Sequence, residues 1–130
     1  SPGFQGRSGG AGVLETDTEP QRQRAQLENL RGRIDSEVRL AFVDLRTSAR
    51  QVEVARSNVD LAHQQIEQSQ DRFAAGVTNN LEVVQAQEAV AAANESFISS
   101  LYAFNVAKAE IARAHGDAEK AITEYLKRNK

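Results

Sequence analysis

The sequence predicts an all-α fold, a long antiparallel two-helix coiled-coil hairpin, and three observations predict it. Proline and glycine are nearly absent from two long stretches, apolar residues recur every seven positions in both, and the two patterns mirror each other across a short polar loop.

The chain starts poorly for a helix. Residues 1–12, "SPGFQGRSGGAG", hold five of the eight glycines and one of the two prolines, and Pro20 follows. Glycine loses the most backbone entropy on folding and proline lacks a donor, so residues 1–21 read as a flexible leader. From about residue 22 to 75 the only glycine is Gly32 and no proline occurs. That predicts one helix about 75 Å long at 1.5 Å rise per residue. The polar loop 76–80, within "RFAAGVTNNLEVVQAQ", should turn the chain, with Gly76 ending the first helix and Asn79 or Asn80 capping the second. The second helix should span about 81–115. Gly116 is then expected at its C′ position, and residues 117–130 as a short C-terminal helix and tail capped by Asp117.

In the first helix Val38, Leu45, Val52, Val59, Ile66 and Phe73 recur every seven residues, separated by Ala41, Ser48, Ala55, Ala62 and Ser69. The second repeats the scheme with Val83, Val90, Phe97, Phe104 and Ile111, separated by Ala86, Ala93, Ser100, Ala107 and Ala114. Phe73 and Val83, Ile66 and Val90, Val59 and Phe97, Val52 and Phe104, and Leu45 and Ile111 are mirror partners about Thr78. A hairpin folded there places large residues in common layers, and the small ones let the axes approach to the low end of about 8–10 Å. A second stripe holds Leu40, Val54 and Leu61 on the first helix and Val84, Ala91, Ile98 and Ala112 on the second. One seam suffices for two helices, so this surface calls for further helices: a four-helix bundle by dimerisation, or a place as one stave pair of an α-helical barrel.

Bulk properties exclude several function classes. A net charge of −2 and a pI near 5.7 give no electrostatic case for nucleic acid. Without cysteine there is no disulfide framework or thiolate metal site. No apolar run reaches the roughly 18 residues of a spanning helix, so the chain as it stands should be soluble. His63 and His115 fall about 33 Å apart along the mirrored hairpin, too far to share a metal. Asp35 and Glu37 lie on different helix faces. No catalytic, cofactor-binding or metal-binding residues are expected, and the chain is not expected to be an enzyme.

The stretch "RFAAGVTNNLEVVQAQEAVAAANESFISSLYAFNVAKAEIARAHG" resembles the C-terminal repeat of the TolC-like outer membrane efflux proteins. Phe73, Gly76, Leu81, Glu82, Val83, Ala86 and Gln87 occupy matching places, as do Tyr102, Ala112 and Gly116, and the likeness covers about residues 22–127. The leader "SPGFQGR" is similar to the family's segment where a barrel strand hands over to a helix. The resemblance implies a homotrimeric conduit across the outer membrane of a Gram-negative bacterium, with this segment in the periplasm. The membrane would be crossed only by strands outside this chain.

It also implies a role for the loop. Phe73, Gly76, Val77, Thr78, Asn79, Asn80 and Leu81 would form the tip that docks a periplasmic adaptor, or membrane fusion, protein, and through it an inner membrane transporter. Glu82 would belong to an acidic ring at the lumen constriction, while Gln85 stands at the place of a second acid and Thr78 at that of a basic residue some members carry. Between Phe73 and Ala107 there is no Lys or Arg, while Glu82, Glu88 and Glu95 are present, which in a narrow lumen would favour cations. The alternative is a self-associating coiled-coil module such as an adaptor's own hairpin. That hairpin should be flanked by β-rich lipoyl-like half-motifs, and residues 1–21 and 117–130 show none.

Overall fold

The computed structural model describes residues 2–130, with side chains from Thr18 onward. Two helices account for the fold: α1 (Pro2–Ala74) and α2 (Asn80–Arg128), joined by residues 75–79. No strand occurs among the described residues, and the antiparallel two-helix hairpin stands as the sequence predicts.

Two helix boundaries differ from expectation. α1 begins at Pro2 rather than near residue 22 and carries Pro20 inside it. An interior proline costs about 3 kcal/mol, but nucleation is the unfavourable step and a helix already long has met it. For residues 1–17, the expected flexible leader lies outside the side chains described. The second difference is at Gly116. There α2 neither ends nor restarts at Asp117, and runs unbroken to Arg128. The separate short C-terminal helix is therefore corrected to the last turns of α2. The reason is in the residues that follow: Ala118, Ala121 and Tyr125 continue the inward stripe and are half-buried, so packing outweighs the weak propensity of one glycine.

The chain divides into two compact units, Leu40–Arg113, and Ser1–Arg39 with Ala114–Lys130. Within Leu40–Arg113 the seam is built mainly from small residues. Val52, Ala55, Ala62 and Ser69 on α1, and Val83, Ala86, Ser100 and Ala107 on α2, are buried. Of the larger heptad residues, Leu45, Val59, Ile66, Val90, Phe97, Phe104 and Ile111 are only half-buried. Reflected across the Val77–Thr78 step, the small positions fall opposite one another in sequence, Ser69 and Ala86, Ala62 and Ala93, Ala55 and Ser100, and Ser48 and Ala107, and all of them are buried or half-buried. Small faces small in each layer, which keeps the backbones close and pushes larger side chains to the margins. Cationic stems lie over two of these: Arg56 sits 5.7 Å from the Phe97 ring across the seam, and Lys108 4.8 Å from Phe104 on its own helix. The buried Ser100 hydroxyl donates to the Phe97 carbonyl at 2.7 Å.

In the second unit Leu27, Leu30, Ile34 and Val38 line α1, and Ala118, Ala121 and Tyr125 line α2. The Tyr125 hydroxyl donates to the Gln23 carbonyl at 3.3 Å, joining segments 102 residues apart. His115 Nε2 lies 3.1 Å from the Glu119 carboxylate, an i,i+4 pair spanning Gly116.

Because Gly116 has no positive φ and nothing lies within 4 Å of an added Cβ, Gly116→Ala should stabilise the chain by about 0.5–1 kcal/mol in urea unfolding. A loss instead would place Gly116 in a left-handed cap. Ala62→Leu, at a position 5% exposed, should cost about 1–3 kcal/mol by forcing the helices apart, and the same unfolding curves would record it.

Candidate functional site

Helix α1 ends in a Schellman cap. The Val77 N–H donates to the Arg72 carbonyl and the Gly76 N–H to the Phe73 carbonyl, each at 3.0 Å, with Gly76 at C′ and a φ of +76°. A left-handed residue there is what lets two orphan carbonyls find donors, and glycine reaches it without a Cβ clash. Among the described residues no other has a positive φ.

Helix α2 starts from a side chain. Asn79 is its N-cap, and its Oδ1 accepts from the Glu82 N–H at 3.3 Å. Asn80 opens the helix, Leu81 follows, and Glu82 takes the N3 position, where a carboxylate faces the positive end of the helix dipole. Rather than folding back on the cap, that carboxylate accepts from Arg72 Nε at 3.2 Å across the hairpin. Arg72 is the cation in the last turn of α1, so each partner also complements its own helix end.

These two caps hold an apolar tip in water. Phe73 is 48% exposed, Val77 63% and Leu81 59%, whereas Thr78 is half-buried. Large apolar groups exposed at one capped turn are unfavourable for a free surface and suit a contact surface. The structure thus gathers Phe73, Gly76, Val77, Thr78, Asn79, Asn80 and Leu81 at one end of the Leu40–Arg113 unit. Beside them a shallow polar groove runs between the helices, with Gln68, Arg72, Glu82 and Gln85 among its walls.

Sequence reasoning missed Arg72. It counted basic residues only from Phe73 onward, and the partner stands one position before. The signal was available: Arg72 and Glu82 immediately precede the mirror partners Phe73 and Val83, which puts them on the same flank of the seam. Elsewhere, Arg113 binds Glu110 at 2.8 Å, and this hydrogen bond and charge hold the Glu110 carboxyl below the usual carboxylate range. Among the described residues no His, Asp or Glu cluster could hold a metal, and no helix is long and apolar enough to cross a membrane.

A narrow two-helix seam, flanks with exposed Leu40, Val54, Leu61 and Ile98, and a capped apolar tip make an all-α hairpin that leaves much of its apolar surface uncovered. The model of the outer membrane efflux protein family matches residues 8–117. The chain belongs to that family, whose members are channel and transport proteins of the outer membrane. No curated protein and no solved structure matches it individually.

The two caps make separable demands. Gly76→Ala should cost about 1–2 kcal/mol although nothing lies within 4 Å of the new Cβ, because the left-handed backbone alone is strained. Asn79→Ala should cost about 1 kcal/mol through the lost cap. Urea unfolding followed by circular dichroism measures both, and a neutral Gly76→Ala would contradict the left-handed geometry.

Proposed function

We propose that this hairpin is the periplasmic segment of a TolC-like outer membrane efflux channel, the C-terminal of its two helical repeats, and that its tip docks a periplasmic adaptor protein. The observation that carries the docking reading is the exposure of Phe73, Val77 and Leu81 at a turn whose shape two caps define. A preformed apolar surface loses little conformational entropy on binding, which favours a partner of complementary apolar surface. In the full-length channel three copies assemble around a lumen, and the adaptor links them to an inner membrane transporter. The flanking stripes then lie against neighbouring hairpins: Leu40, Val54 and Leu61 on α1, and Val84 and Ile98 on α2, all exposed in the single chain. Glu82 faces the constriction near the tip.

The test is made in full-length protein. Gly76→Val combines a β-branched side chain with φ +76°, so it should abolish adaptor cross-linking and export while the helical content and the outer-membrane level of the channel stay near wild type. Normal export by a correctly localised variant would reduce the loop to a simple turn. The stripes make a second expectation, that the isolated chain self-associates, since about 25 cal/mol is gained per Å² of apolar surface buried. Sedimentation equilibrium showing a strict monomer at high concentration would contradict their role.

A further inference from the structure

We propose that Arg72 is the positioning residue for Glu82, coupling the cap that ends α1 to the cap that starts α2 so that the tip holds one shape. Its use rests on the docking reading above, but its geometry does not.

Each residue of the pair is engaged twice. The Arg72 carbonyl accepts from the Val77 N–H at 3.0 Å, closing the wider ring of the C-terminal cap, while its guanidinium reaches Glu82. The Glu82 N–H donates to the Asn79 side chain at 3.3 Å, closing the N-terminal cap, while its carboxylate receives Arg72. The ion pair therefore connects two backbone caps that otherwise share only the intervening loop. Moving the Arg72 side chain pulls on the residue whose carbonyl holds Val77, and moving Glu82 pulls on the residue whose amide Asn79 holds.

The same contact changes the charge at the tip. A bare carboxylate at Glu82 would give the tip one unpaired negative charge per chain, whereas the guanidinium at 3.2 Å pairs it within the chain. With side chains 53% and 39% exposed, the attraction is screened by solvent and salt, so the clamp is modest and sensitive to ionic strength. It adjusts a loop that the caps have already shaped.

The experiment is a double-mutant cycle in the 130-residue chain, using Arg72→Gln, Glu82→Gln and both together. The readout is native-state hydrogen exchange of the Val77 and Glu82 amides by NMR, with Ala55 and Ala62 as mid-hairpin references. Each single variant should speed exchange at both tip amides about two- to five-fold, the range of an exposed pair, with the references unchanged. The double variant should exchange clearly slower than the product of the two single effects, because the second substitution has no partner left to remove. Raising salt to about 1 M should speed the wild-type tip amides toward the single variants and leave the double variant unmoved. If the single effects multiply in the double variant, or if the tip amides ignore both substitutions, the caps are independent and the proposal is overturned. No adaptor takes part, so that failure would leave the docking reading standing, and normal export by Gly76→Val would leave the clamp standing.

Discussion

The close approach of two helices over a seam of alanine and serine is the constraint on which the rest of this structure depends. Ala55, Ala62 and Ser69 on one helix and Ser100, Ala93 and Ala86 on the other mirror one another in sequence and turn inward, so the seam has little volume to enclose a large side chain. None of the described side chains is fully buried, and Phe97 and Phe104 lie half outside with cations over their rings. Two consequences follow directly. The apolar surface that a globular core would hide is left on the flanks, at Leu40, Val54, Leu61 and Ile98. And the connection must reverse direction over a spacing of only about 8 Å, which a five-residue loop achieves when one residue turns left-handed.

That reversal brings the C-terminal end of α1 beside the N-terminal end of α2, a negative pole beside a positive one. Arg72 and Glu82 stand at these poles with complementary charge, and the Gly76 and Val77 amides and the Asn79 side chain cap the two helix ends. With both helix ends capped, the turn can present Phe73, Val77 and Leu81 to the outside at little cost in flexibility.

The hairpin itself was legible because two independent regularities agreed. Seven-residue spacing named the inward positions, and the mirror about Thr78 named the turn. Gly76 and Gly116 show where that reading stops. Both sit near the end of a long periodic run, and either could be a helix terminus by composition. Gly76 is followed by Val77, Thr78 and Asn79, which continue no stripe, and there the helix ends. Gly116 is followed by Ala118, Ala121 and Tyr125, which do continue it, and there the helix persists. A glycine stops a helix when packing beyond it is lost, and the sequence carries that information several residues downstream of the glycine. Arg72 is legible for a different reason: it and Glu82 each stand one residue before a mirrored seam position, Phe73 and Val83, so they flank the same edge of the seam without being mirror images themselves.

The mirrored seam also dictates an order of events during folding. Ser69 and Ala86 are joined by a short stretch of chain, whereas Ser48 and Ala107 enclose more than three times as much, and Tyr125 reaches back 102 residues to Gln23. Closing entropy rises with the length of chain enclosed, so the first contacts to form at low cost are those beside the loop. Each layer that closes there shortens the open segment facing the next, and pairing advances along the seam as a zip does, one heptad at a time. The segment that exposes Phe73, Val77 and Leu81 is thus also the segment from which the two arms find their register, and a slip of the turn by one residue would carry into every later layer.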